Sequence, residues 1–230
     1  TPHLVKIYLS PYGLHGPHSA RRSNEITDEA ASGEHFLNGE PHREPISRPG
    51  HSAQHQAGVF GFIGALAALR AKDVLGKGQT VEVSHLEGLA ALHQYTTVMW
   101  TQANHILQRV GNGQGGPWHP VGNYRCKDGF VALALPVAVM LQPFLEAAGL
   151  GHLMEDERFA EDWSRAEHRR EFDEAIEPWL LEHTADEIIT MGQGVAAPVG
   201  PVTTLHDVLE DPHLQERGFW RTLDGDSGLR

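Results

Sequence analysis

Histidines, an amide and several carboxylates gather where this sequence turns from polar to apolar. Residues 50–84 read GHSAQHQAGVFGFIGALAALRAKDVLGKGQTVEVS, so His51, Gln54 and His55 lead into the run Val59–Leu69. His51 and His55 are four apart and would share a helix face, a spacing that can serve a metal ion. No Glu lies between them as in H-E-x-x-H, and His51 precedes the apolar run, so no metal site is expected. His15 and His18, in a turn-rich loop, make no better pair. Glu25, Asp28, Glu29, Glu34 and Glu40 have the chemistry of an acid, base or nucleophile, although each reads first as a solvated charge. A serine triad finds no support, because no G-x-S-x-G elbow occurs. The single cysteine, Cys126, sits in Tyr124-Arg125-Cys126-Lys127, a strand before a turn, and reads as a structural thiol. Gly111, Gly113, Gly115 and Gly116 form a flexible stretch whose backbone can approach a ligand closely. No Gly-Lys-Ser/Thr follows, so it is not a Walker loop.

Several elements must hold these groups. The run Val59–Leu69 is apolar on nearly every side, which predicts a helix buried all round. It is too short for a bilayer, which needs about 18–20 apolar residues. Its polar first turn would sit at a helix amino end, where backbone N–H groups and the helix dipole favour negative charge. Gly76-Lys77-Gly78 is a turn and Thr80–Ser84 a strand. Leu4–Leu9 is a second strand, ending at Ser10-Pro11-Tyr12-Gly13, and such exits in α/β folds often bind ligands. Residues 24–33 read as a helix closed by Gly33, and 34–50 as a loop carrying Arg43 and Arg48. Ser84-His85-Leu86-Glu87 matches a capping box and opens a helix predicted over 85–109.

Beyond the glycine stretch the texture changes. Lys127-Asp128-Gly129 between two apolar runs predicts a hairpin, followed by a helix at Met140–Ala148 and a charged helix at 165–183. Ser164–Glu167 and Thr184–Glu187 match further capping boxes. Residues 194–202 read as strand or loop, and Thr204–Leu209 as a short helix stopped at Asp211-Pro212. The predicted organisation is an α/β piece over 1–110, a glycine linker over 111–118 and a small α+β domain over 119–218. Residues 219–230 would begin a return segment.

A formal net charge of -12 argues against nucleic acid as the main partner, since phosphate binding needs clustered Lys and Arg. One cysteine excludes an internal disulfide framework and suits a reducing compartment. With neither a signal peptide nor a transmembrane run, a cytoplasmic protein without membrane contact is expected. The first strand is already under way at Leu4 with no methionine ahead of it, which points to an interior piece of a longer protein.

Taken in order, the motifs resemble a known family. They are Ile7-Tyr8-Leu9-Ser10-Pro11-Tyr12-Gly13 with Gly16-Pro17, Ala31-Ser32-Gly33, Gly39-Glu40-Pro41, Ala57-Gly58 and Gly76-Lys77-Gly78-Gln79. Tyr124 with Lys127-Asp128-Gly129, Asp156-Glu157-Arg158-Phe159, Ala197–Pro201 and Asp211-Pro212 with Arg217-Gly218 continue the series. The set resembles the class III CoA-transferases, the CaiB/BaiF family, over nearly the whole chain.

The resemblance implies a large Rossmann-like domain, of which this chain holds part, and a small α+β domain. It also implies two chains interlocked as linked rings. Acyl-CoA and a carboxylic acid would be the reactants, with the CoA thioester as substrate and no bound cofactor or metal. In the family a carboxylate at the start of the buried helix attacks the thioester and gives a mixed anhydride. CoA thiolate then returns to form an enzyme thioester, which the acceptor acid resolves. The family pattern there is Ala-Asp-x-x-x-Gly, and this chain reads Ala53-Gln54-His55-Gln56-Ala57-Gly58, with Gln54 at the Asp position. Gly58 would be a packing position. The histidine of the family's racemase branch falls at Asn24, so its acid/base pair is missing too. Gln54 and His55 are the candidate catalytic positions, and Gly111, Gly113, Gly115 and Gly116 the loop that closes over them. Ser10, Tyr12, Asn24 and Glu25 are candidate contacts for the CoA thioester. The expectation is CoA transfer between carboxylic acids with an altered nucleophile position. The alternatives are an acyl-CoA lyase, hydratase or isomerase, or a catalytically degenerate half of a two-domain transferase kept for pairing.

Overall fold

Small residues decide where the long helix lies. The computed structural model describes residues 2–221, so most of the expected return segment falls outside the described residues. The chain divides at Gly115/Gly116 into two compact units of α/β character.

In the first unit, β1 (Lys6–Ser10) leads through a long loop to α1 (Glu25–Ser32) and the short α2 (Glu34–Leu37). Then come α3 (Ser52–Leu75), β2 (Thr80–Ser84), α4 (His85–Ala90) and α5 (Gln94–Ala103). Strands β1 and β2 pair in parallel, Lys6 opposite Thr80 through Ser10 opposite Ser84. Helix α3 is the crossover between them, as parallel pairing requires. Ala53, Ala57, Gly61 and Ala68 are buried and recur at helical spacing. A Cβ on Gly61 would lie 2.7 Å from a Leu9 methyl, and one on Gly64 2.7 Å from a Val81 methyl. The strands therefore fit against α3 because its near face carries almost no side chain.

This corrects the expectation of a helix buried all round. The large residues of α3 point elsewhere: Phe62 is 64% and Val74 70% exposed, and Val59, Ile63, Leu66 and Leu69 are exposed as well. Only two strands lie beneath the helix, α4 and α1 pack against part of it, and among the described residues its large apolar side chains stay exposed. Nor is Gly58 a packing position, since a Cβ there would meet nothing within 4 Å. The single helix expected over 85–109 is two. Helix α4 stops at an Ala91–His93 turn, and α5 ends at Asn104, which adopts a left-handed conformation with φ 51°.

In the second unit β3 (Val121–Cys126) and β4 (Gly129–Ala134) form the expected hairpin, and β5 (Val199–Pro201) adds antiparallel to β4. Around them run α6 (Ala138–Ala147), a 3₁₀ turn (Gly151–Glu155), α7 (Glu157–Ala160), α8 (Asp162–Glu167) and α9 (Arg169–Glu182). Helices α10 (Ala185–Gly194), α11 (Leu205–Glu210) and α12 (Pro212–Glu216) complete the unit. Val131, Leu133, Phe144, Phe172, Leu180 and Ile188 belong to one continuous apolar core. Arg165 is wholly buried beside it and fully used. Its Nε donates to His119 O at 2.7 Å, Nη1 to Phe159 O at 2.8 Å and Nη2 to Asp162 at 2.6 Å. The charged helix expected over 165–183 is broken at His168. Ser164 lies inside α8, its hydroxyl donating to Glu157 O rather than capping. The Thr184/Glu187 box does form, and Pro212 starts α12 rather than only ending α11.

Two predictions follow from this packing. Gly64→Val should destabilise the protein by about 1–3 kcal/mol through overpacking against Val81. Gly58→Ala should leave it unchanged or stabilise it by about 0.5–1 kcal/mol, both read by denaturant unfolding. A third prediction concerns pH. The Ala185 N–H holds the Asp128 carboxyl below its usual range, Arg158 draws Asp156 down to about 2, and the Thr184 cap lowers Glu187. These contributions are complete above the ordinary carboxylate range and are lost as protons bind. The unfolding midpoint should therefore fall as pH drops from about 4 to about 2.

Candidate functional site

Helix α3 begins without a cap of its own. His51 precedes it and makes no side-chain hydrogen bond to the first turn. The exposed amino-end N–H groups are met instead by a carboxylate from far upstream. Glu25 Oε1 accepts from Ala53 N at 2.6 Å and Oε2 from Gln54 N at 3.3 Å. A helix amino end favours an anion, and here the chain's own Glu25 is that anion. Gln54 and His55 are both exposed, and the His55 ring stands edge-on to His51 at 6.5 Å. The expected enclosed first turn is thus open in this chain, with a neutral amide beside a tethered carboxylate.

Glu25 is held in place from behind. Asn24 is the N-cap of α1: its Oδ1 accepts from Thr27 N at 3.3 Å, and Thr27 Oγ1 accepts from Asn24 N at 2.9 Å. The next turn of α1 carries Asp28 and Glu29, each 1% exposed. Asp28 Oδ2 is 2.8 Å from His85 Nδ1, and Asp28 also accepts from the Ser23 hydroxyl. Glu29 lies 3.3 Å from His35 Nε2 and 4.0 Å from Arg48, and Arg48 reaches Glu34 at 3.1 Å. Sequence reasoning read these carboxylates as solvated, and the structure corrects it for Asp28 and Glu29, while Arg48 is exposed and ion-paired. A signal was present: Glu25 stands three and four residues before Asp28 and Glu29, so all three share one face of a short helix.

The remaining candidates are spread around the first unit. Ser10 closes β1, and its hydroxyl is buried without a hydrogen-bond partner. Tyr12 packs edge-on against His18 at 6.0 Å. The loop between them and α1 is pinned to the sheet end, where Leu14 N donates to Glu82 and Leu86 N to Pro11 O at 3.1 Å. Arg21 and Arg22 end that loop, both exposed, directly ahead of Asn24. The glycine stretch is stitched to the 36–43 loop. Arg109 donates to the carbonyls of Phe36, Glu40 and Arg43, and Gly111 N donates to Gly39 O at 3.1 Å. Gly111 has φ +77°, and a Cβ there would lie 2.7 Å from the Glu40 carboxylate, so glycine is required. Among the described residues no cluster of three or more His, Cys, Asp or Glu is arranged to hold a metal ion, and no helix is long and apolar enough to cross a membrane.

The structure superposes on a CaiB/BaiF family protein from Brucella suis with TM-score 0.80 and 24% identity, covering 100% of this chain and 60% of that one. The chain belongs to CoA-transferase family III, whose model matches residues 1–229. It is similar to a succinyl-CoA–D-citramalate CoA-transferase of Chloroflexus aurantiacus, 31% identical over 217 residues, covering 94% of this chain and 54% of the relative. It is also similar to a succinyl-CoA–L-malate CoA-transferase alpha subunit of the same organism, 28% identical over 228 residues, covering 98% and 53%. The chain therefore spans about half the length of the relatives it matches.

Asp28→Ala, which strips His85 and Ser23 of a buried partner, should cost about 1–3 kcal/mol of stability in denaturant titration. Glu44→Gln, at an exposed position, should stay within about 0.5 kcal/mol of the parent.

Proposed function

We propose that this chain is part of a CoA-transferase family III protein acting on acyl-CoA thioesters and carboxylic acids, with the usual nucleophile replaced by Gln54. The observation that carries this reading is the pairing of Gln54 with Glu25 at the amino end of α3. The scaffold that presents a nucleophile is retained, the presented group is a neutral amide, and the neighbouring carboxylate is engaged by two backbone N–H groups. Arg21 and Arg22, exposed in the loop shortly before Glu25 in sequence, have the chemistry for the phosphates of a CoA nucleotide in an otherwise acidic chain. The CoA thioester is substrate in this reading and no resident cofactor is needed.

A second reading has its own support. An amide cannot form the anhydride that a carboxylate forms, and the bare apolar flank of α3 is suited to a covering domain. The chain would then be the non-nucleophilic member of a pair, joined to a second family domain that carries the acid. That the relatives include the alpha and the beta subunit of a succinyl-CoA–L-malate CoA-transferase supports such a partner.

The test uses the full-length protein. With acyl-CoA it should form no hydroxylamine-sensitive enzyme anhydride or thioester at Gln54 or Glu25. Gln54→Asp should gain CoA transfer between carboxylic acids by at least about tenfold, equivalent to about 1.4 kcal/mol of barrier. An adduct trapped on Glu25 in the parent would overturn the altered-nucleophile reading. Transfer that needs a co-purifying partner and is indifferent to Gln54→Asp would select the paired reading.

A further inference from the structure

The first unit contains a two-part groove that none of the candidate residues at α3 lines. One part, of about 180 Å³, is walled by Phe36, Leu37, Trp100, Ile106 and Leu107. The other, of about 260 Å³, is lined by Glu34, Asn38, Gln108 and the glycine stretch at Gly113 and Gly115. The two share Leu37, His93, Thr96 and Leu107, so an apolar part and a polar part adjoin across these residues. An apolar cavity of about 150 Å³ suffices for benzene, so the apolar end has room for a group of that size.

Charge narrows the occupant further. No Lys or Arg lines either part, and Glu34 is the one carboxylate. Its charge is already met from the side by Arg48 at 3.1 Å. A ligand carboxylate entering here would meet Glu34 without a free cation to offset it. An uncharged group with an amide, hydroxyl or thioester oxygen at its polar end would find Asn38, Gln108 and the glycine backbone. Helix α1 runs from Glu25 beside Gln54 to Ser32 at the apolar end, about 10 Å at 1.5 Å per residue.

We propose that this groove holds the acyl tail of the thioester, taking an uncharged group of about benzene size in preference to one ending in a second carboxylate. The proposal rests on the acyl-CoA reading above. It gives this chain a different acyl preference from the succinyl donors named for its relatives.

The experiment is a fluorescence titration of the full-length protein with 3-phenylpropanamide, which carries no CoA, and with 3-phenylpropanoyl-CoA and succinyl-CoA. The amide should change tryptophan emission saturably. That change should vanish in Trp100→Phe, and affinity should fall at least about tenfold in Thr96→Phe, which fills the shared wall. 3-Phenylpropanoyl-CoA should bind at least about tenfold more tightly than succinyl-CoA. No saturable response to the amide, or a response untouched by Thr96→Phe, overturns the groove as a site. Equal affinity for the two thioesters overturns the preference. Binding of the amide with no binding of either thioester overturns the acyl assignment and the acyl-CoA reading together, leaving a site for uncharged apolar molecules.

Discussion

The Glu25 carboxylate at the amino end of α3 is the contact on which the first unit turns. A helix starts with N–H groups that have no partner within it, and α3 has no local cap to supply one. Glu25 supplies it from 28 residues upstream, binding α1 to α3 with two hydrogen bonds. The same contact sets what the helix end presents. It occupies the donors and the positive dipole end that would otherwise favour an external anion, and it leaves Gln54 as the uncharged group presented to solvent.

The two units solve the problem of stability differently. The second encloses one apolar core of leucines, valines and phenylalanines, with Arg165 satisfied at its edge. The first buries mostly small residues on α3 and a few large ones such as Leu89 and Leu107. Its buried carboxylates are Asp28 and Glu29, which face His85 and His35, while the exposed Arg48 reaches Glu34 at the edge. Buried charges are tolerable only when paired, so this network demands a fixed geometry. That rigidity suits a scaffold that must present a group at one helix end. The apolar flank of α3 that remains bare is the corresponding weakness, and a covering element from another domain would remove it.

Much of the frame was legible in the sequence. Punctuation by Gly33, Gly76 and the Lys127-Asp128-Gly129 turn placed helix ends and the hairpin, because those positions need backbone conformations that few residues adopt. The Thr184 box was legible for the same local reason. What failed depended on tertiary context. Apolarity around α3 suggested full burial, yet its burial depends on how many strands lie beneath it. Ser164 matched a capping pattern but sits within a helix whose end is set by His168. The Asp28 and Glu29 side chains looked solvated because sequence distance hides partners: His85 lies 57 residues from Asp28. Glu25 was singled out as a contact, but its tie to the Ala53 and Gln54 amides could be seen only once α1 and α3 were side by side.

The central claim is that Glu25 holds the amino end of α3 as a structural carboxylate, beside a neutral Gln54. Residue-resolved amide exchange in the parent and in Glu25→Gln tests it most directly. Loss of the carboxylate cap, worth about 1.4 kcal/mol, should speed exchange at Ala53 and Gln54 about tenfold while leaving β2 unchanged. Unchanged exchange at Ala53 and Gln54 would contradict the account.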